Sequence, residues 1–277
     1  MRLTIVLPCA DDDGLDACLA SIDEDVEVLA VLNGPTPAMR ERVRQHGLRT
    51  IEIPERNLGA ACQAGCVAAS NEHILLMNTD STFAPGAIRT LMDDWAEDLV
   101  VRATLQFAGS GRGIRLIENL QNHQMSNPDR AYQPGILFHA GILDRIGGYY
   151  FDQDVHWTED ADFDRRVRGA GIGVRVSVGV VRHGEVSVLR KLRSAFRYGI
   201  GRSIAESKRL YGTYPPFRPS LKALAGDWSA LARSYGRATA AYGVVWMTAF
   251  AAGVLAQRHF EVYPVRDRLS MDGRSDV

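Results

Sequence analysis

Cysteine is scarce in this chain. The four, Cys9, Cys18, Cys62 and Cys66, all fall in the first quarter, among apolar or small residues. That distribution argues against a disulfide framework and predicts buried thiols in a reducing compartment. Cys62 and Cys66 lie four apart with no further Cys or His at ligand spacing, so no zinc site is expected there. Net charge is almost absent as well, at −1, which argues against nucleic acid as a partner. No Gly-x-Gly-x-x-Gly follows the first apolar run, and the glycine-rich stretch 109–113 lacks the Lys-Ser/Thr ending of a phosphate-binding loop. That stretch is expected to be a flexible connection. The first apolar run, residues 3–7, is too short for a signal peptide, so a cytoplasmic chain is expected.

What is present is enough for one large α/β domain and a smaller appendage. The chain has 277 residues, 46% of them hydrophobic and 23% charged. Apolar, β-branched runs at 3–7, 26–32, 50–53 and 73–77 alternate with helical stretches at 15–22, 37–46, 58–70 and 85–95. This alternation predicts a parallel, doubly wound sheet flanked by helices. A further strand is expected at 99–107, residues 136–139 form a short apolar run, and 174–181 is expected to be extended, ending at His183. Helices are expected at 142–148 and at 159–168, the latter capped by Thr158 and closed by Gly169. In such sheets ligands bind beyond the carboxyl ends of the strands. Residues 9–13, Asn33, Asn57 and 78–80 are therefore the first candidates.

Three groups of residues can carry chemistry. Asn78-Thr79-Asp80 follows an apolar strand, and residues two apart leaving a strand point the same way. They can hold a hard divalent cation through oxygen, or form an ordinary Asx turn. Thr158-Glu159-Asp160, with Asp152, Asp154, Asp162 and Asp164 around it, is a dense acidic patch. Crowded carboxylates raise one another's proton affinity, as a general base requires. Acids at a helix start are equally favoured by the macrodipole. His183 ends the last apolar run and can complete a metal site or be structural.

The strand 3–8, the helix starting Asn57-Leu-Gly-Ala-Ala, the strand end Leu76-Met-Asn-Thr-Asp80, and the run from Phe138 through Trp157-Thr-Glu-Asp160 to Arg166, Gly171 and His183 together resemble family 2 glycosyltransferases. The resemblance covers residues 1–186. It implies a GT-A fold, Rossmann-like with a mostly parallel sheet, for a catalytic domain over 1–186, followed by a helical extension over 187–277. It implies Mg²⁺ or Mn²⁺ on Asp80, assisted by His183, holding the diphosphate of a nucleotide-sugar. Pro8, Ala10, Asp11, Asn33, Asn57, Gly59, Asn78 and Thr79 would contact the donor. Asp160, with Glu159 beside it, would deprotonate an acceptor hydroxyl, on a saccharide, a lipid-linked or a small-molecule acceptor, and the anomeric centre would invert. Two positions depart from the family: Leu32 stands where an Asp commonly contacts the base, and Gln63 where an Asn is usual. The competing readings are a non-catalytic nucleotide-sugar-binding protein and a sugar nucleotidyltransferase. The second is disfavoured by the acidic 9–13 segment, which would repel a triphosphate.

Charge is unevenly distributed. From Arg182 to Arg237 there are twelve Arg or Lys against three acids. Leu189, Leu192, Phe196, Ile200 and Ile204 mark one face of a helix, with Arg190, Lys191, Arg193, Arg197 and Arg202 on its other sides. Such a helix packs on the catalytic domain or lies on an anionic membrane. Residues 238–256 carry no charge, and a buried or membrane-dipping helix is expected there in preference to a span. The expected place is the cytoplasm, with the C-terminal helices as the part that would touch the membrane's inner face.

Overall fold

Every side chain of β1 (Leu3–Cys9) is buried, because this strand lies in the middle of a sheet covered on both faces. The computed structural model describes residues 1–10, 14–125, 130–208, 217–218 and 220–263. The expected element at each early position is present. After β1 come α1 (Leu15–Ala20), β2 (Glu27–Asn33), α2 (Pro37–Gln45), β3 (Arg49–Ile53), α3 (Leu58–Ala68) and β4 (His73–Leu76). The chain continues through β5 (Ser81–Phe83), α4 (Ala87–Asp94), β6 (Leu99–Phe107), α5 (Arg112–Gln124), β7 (Ile136–His139), α6 (Glu159–Gly169) and β8 (Gly173–His183). Three helices close it: α7 (Val188–Ser207), α8 (Leu221–Tyr235) and α9 (Arg237–Phe260).

The eight strands form one sheet in the order β3-β2-β1-β4-β7-β6-β8-β5. Strands β1 to β4 pair in parallel, β7 is antiparallel to both β4 and β6, and β8 is parallel to β6 but antiparallel to β5. Six strands therefore point one way and β5 and β7 the other. The sheet is mostly parallel, with two reversals that the run of apolar segments does not reveal.

Alternation along the central strands supplies both layers. Leu3, Ile5, Leu7, Leu75 and Met77 pack against α1, α2 and α4 through Leu15, Met39, Val43, Ile88 and Leu91. Val6, Val31, Ile74 and Leu76 face the other way, onto Ala61, Cys62 and Cys66 of α3 and Phe163 and Val167 of α6. None of the four cysteines forms a disulfide, and all four are buried.

Four local expectations are corrected. The 109–113 stretch is not wholly a loop, since α5 begins at Arg112 and buries Ile117 and Leu120. Residues 142–148 do not form a helix: one 3-10 turn, Ala140–Ile142, is followed by turns, with Gly147 at φ 97° and Gly148 at φ 80°. The Thr158 hydroxyl makes no capping bond. The left-handed residue that ends α6 is Gly171, at φ 73°, rather than Gly169.

The last helices close over one end of the sheet. Helix α7 lies on α9 at backbone contact: a Cβ on Gly199 would stand 2.0 Å from the Phe250 carbonyl oxygen, and one on Gly253 1.9 Å from that of Phe196. Only glycine permits this approach. Helix α9 is long and apolar enough to cross a membrane by length and composition alone, while its Thr239, Ala240, Tyr242, Gly253, Val254 and Gln257 are buried within the protein.

Candidate active site

The carboxyl ends of β4, β6 and β8 and the start of β7 meet at one sheet edge, following from the strand directions. Asn78-Thr79-Asp80 leaves β4 there. The short strand β5 then pairs antiparallel with β8, setting Ser81 opposite His183, and Gly184 donates its N–H to the Asp80 carbonyl at 2.8 Å. This pairing brings the two predicted metal-site residues together: Nε2 of His183 lies 3.5 Å from Oδ2 of Asp80. Nδ1 of His183 faces the Gly184 carbonyl at 3.1 Å. Burial lowers the imidazole's pKa against the opposing pull of Asp80, which favours the neutral ring. A neutral ring that donates from Nδ1 to Gly184 turns the Nε2 lone pair toward Asp80. Two lone-pair groups facing each other at this distance suit one shared cation.

The acidic patch separates into structural and available carboxylates. Asp152 and Asp154 bind Lys208 Nζ at 2.8 and 2.5 Å. Asp162 binds Arg166 at 2.8 Å, and Asp164 binds Arg168 at 2.7 Å and Arg130 at 3.2 Å. Glu159 and Asp160 have no cationic partner among the described residues. Asp160 Oδ2 accepts the Gln133 backbone N–H at 3.4 Å, and the Gln133 amide donates to Glu159 Oε1 at 3.4 Å. Burial pushes both acids well above the usual carboxylate range, Asp160 to about 7. For Glu159 the neighbouring Asp160 adds to the effect of burial. Glu159 Oε2, Gln133 Oε1 and Thr158 Oγ1 are buried without a hydrogen-bond partner among the described residues.

A cavity of about 420 Å³ unites these loops. Asn78 and His183 line one side, Gln133, Glu159 and Asp160 another, and Lys191, Arg197 and Tyr198 of α7 with Trp246 and Phe250 of α9 form the roof. Trp157, at φ 64°, adds a ring beneath Arg197, whose guanidinium sits 5.9 Å from the ring centre. A left-handed non-glycine residue beside a cavity is a conformation that functional sites often hold. Burial raises the Tyr198 pKa, with further contributions from Asp160, Glu159 and Asp80, so its hydroxyl lies in the field of all three acids.

The other predicted donor contacts lie at the same sheet edge but outside this cavity's walls. Pro8 lies near the end of β1, Ala10 follows it, and Asp11 lies outside the described residues. The Asn33 side chain accepts the Asn57 backbone N–H at 2.6 Å; Asn57 caps α3 through Ala60 N at 3.0 Å and also donates to the Gln153 carbonyl. A Cβ on Gly59 would stand 2.4 Å from the Asp152 carbonyl oxygen. These three residues hold the 152–155 loop on α3. Thr79 is buried. Sequence reasoning missed Gln133, Tyr198 and the two aromatic rings of α9, because nothing in their local pattern distinguishes a cavity wall from a core.

The buried acid gives a pH-dependent stability prediction. Glu159 keeps its proton in the folded chain at pH values where the unfolded chain has lost it. Its contribution is therefore complete below about pH 4.5 and declines as pH rises to about 8. Glu159→Gln should abolish that decline and exceed the wild type at pH 9 by roughly 1–3 kcal/mol, the scale of an unsatisfied buried polar group. Urea titrations at pH 5, 7 and 9 check this; a variant-to-wild-type difference that stays constant across the three refutes it.

Comparison with known proteins adds the family context. Residues 4–148 match the model described as glycosyl transferase family 2. Uncharacterized glycosyltransferases of Mycobacterium tuberculosis and Mycobacterium bovis are each 27% identical over 164 residues, covering 53% of this chain and 74% of theirs. Among solved structures, S. aureus TarS 1-349 aligns with TM-score 0.51 at 13% identity, over 93% of this chain and 91% of that one, and is also known in complex with UDP-GlcNAc. GalNAc-T7, solved with UDP, GalNAc and Mn²⁺, aligns with TM-score 0.52 at 11% identity, over 84% of this chain and 56% of that one. These structural likenesses are likenesses of fold.

Proposed function

The chain belongs to glycosyl transferase family 2 and is a glycosyltransferase of GT-A fold, and from that premise we propose that it moves a sugar from a nucleoside-diphosphate sugar to an acceptor hydroxyl with inversion. The observation that carries this reading is the cavity shared by Asp160 and by the Asn78–His183 side of the sheet edge. A carboxylate without a cationic partner among the described residues, held above its ordinary pKa, accepts the proton of the attacking hydroxyl. It works across the cavity from the group that leaves. One carboxylate acting as base, with no covalent sugar intermediate, inverts the anomeric centre.

A divalent cation, Mg²⁺ or Mn²⁺, fits the residues present. Asp80 and His183 offer an oxygen and a nitrogen to one point, and no described group of three or more His, Cys, Asp or Glu could hold a metal. Such a half-built set suits a cation that keeps substrate phosphates among its ligands. Bound there, the cation would neutralise charge on the diphosphate. Asn78, on the same cavity wall, contacts the donor, while Pro8, Ala10, Asn33, Asn57 and Gly59 shape the crevice for its nucleoside. We assign residues 1–186 to the catalytic domain and 187–277 to a helical extension that completes the cavity. The acceptor is a saccharide, lipid-linked or small-molecule hydroxyl, and the chain works in the cytoplasm with its C-terminal helices toward the membrane face.

The test is a panel of nucleoside-diphosphate sugars monitored for nucleoside diphosphate release. One donor should turn over with Mn²⁺ or Mg²⁺ and stop in EDTA. Asp80→Asn should lower the rate by about a hundred-fold or more, the scale of removing a metal's electrostatic help. Binding of a donor without release under any cation would overturn the transfer reading.

A further inference from the structure

Three polar groups of α7 line the cavity without a partner. Lys191, Arg197 and Tyr198 all reach it, and among the described residues none makes a hydrogen bond or ion pair. Arg197 has only the Trp157 ring, and Lys191 only the Phe107 ring, 4.8 Å from its amine. Phe107 in turn lies beside His183, ring centres 5.4 Å apart. The amine is thus held next to the Asp80–His183 corner without being neutralised by it. Lys191, Ser194 and Tyr198 recur at helical spacing on one face, and the cavity is lined by all three. The neighbouring face carries Ala195 and Gly199 and is buried, Gly199 against α9. Helix α7 is therefore fixed by one face while its polar face is turned into the cavity.

A half-buried ammonium without a partner is unfavourable until an anion arrives. The cavity's own carboxylates, Glu159 and Asp160, lie on the wall formed by α6 and pair with neither cation. We propose that the 191–198 face of α7 is the receiving surface for the donor's diphosphate, with Lys191 as its principal charge contact and Arg197 and Tyr198 beside it. This rests on the transfer reading above and adds to it. The leaving group would be gripped by the protein itself beside the Asp80–His183 corner, so part of its binding needs no divalent cation. A lysine suits this position because a compact, rotatable ammonium follows a diphosphate as its charge grows. All three residues lie in the helical extension, beyond the segment 4–148 that matches the family model.

Pyrophosphate isolates the question, because it carries the charge without base or sugar. Titration calorimetry of the full chain with pyrophosphate in EDTA should show binding by the wild type. Lys191→Met should weaken it about ten-fold or more, and Lys191→Arg should stay within about three-fold, on the scale of a charge-assisted contact. Matching thermal midpoints of the variants exclude unfolding as the cause, and Lys191→Gln replaces Lys191→Met if the latter fails to fold. Nucleoside diphosphates should compete with pyrophosphate. No wild-type binding in EDTA, equal binding by the charge-deleting variant, or simultaneous binding of pyrophosphate and nucleoside diphosphate, as a phosphate site for the acceptor would give, each overturns the proposal. The two readings separate: if pyrophosphate binding follows Lys191 but no nucleotide-sugar is consumed, the anion site stands and the transferase reading falls.

Discussion

Replacing Asp160 with Asn should lower kcat by about a hundred- to ten-thousand-fold, the range for loss of a positioned general base, while donor affinity changes little. The expectation follows from the way the acidic patch divides. Four of its carboxylates are occupied by Lys208, Arg166, Arg168 and Arg130. Asp160 is held by the Gln133 backbone N–H and opens into the cavity. Burial raises its pKa to about 7, so it is half protonated near neutrality. A base must be unprotonated to act, so kcat/KM of the wild type should rise with pH through about 7. The residual activity of Asp160→Asn should lack that limb. A variant retaining wild-type kcat would remove Asp160 from the chemistry.

The largest structural loss is expected at Arg166, which does no chemistry. Its Nε donates to Asp162, a fully buried acid, at 2.8 Å. Nη1 donates to the carbonyls of Ile146 and Tyr149 at 2.9 and 2.6 Å, and Nη2 to that of Tyr150 at 2.6 Å. The guanidinium also lies over the Tyr149 ring, 4.0 Å from its centre. One planar fork therefore ties the glycine turn before residue 150 to the helix that carries Asp160. Arg166→Met should destabilise the chain by about 3–5 kcal/mol, the cost of breaking a buried ion pair from one side. Arg166→Lys should recover little, because an ammonium cannot reach this set of acceptors in one plane. Urea midpoints for the three proteins decide it. A loss under about 1 kcal/mol, the scale of an exposed pair, would mean that the fork is not the tie described.

Strands β1, β2 and β4 were legible in the sequence because burial on both faces leaves a continuous apolar run. Their direction was not. A fully buried strand such as β7 reads the same whether it runs with its neighbours or against them, and pairing with β4 and β6 decides. Strand β5 escaped notice because Ser81–Phe83 is three residues long and is held by β8, about a hundred positions later. Helix α5 was hidden behind its glycines, although Ile117 and Leu120 carry its apolar spacing. At the site, Asp80, Asp160 and His183 stood out as polar groups at the ends of apolar elements. Their sorting did not, since whether an acid is free depends on which arginine or lysine the fold brings to it. Lys191 read only as one of the basic residues on the sides of an amphipathic helix until α9 fixed which way that face turns.

The most direct test of the account is the anomeric configuration of the product at the moment it forms, read by proton NMR with whichever nucleotide-sugar the panel identifies. A lone carboxylate acting as base across the cavity from the departing diphosphate requires the product's anomer to be opposite to the donor's. Retention of the donor configuration would contradict this account of Asp160.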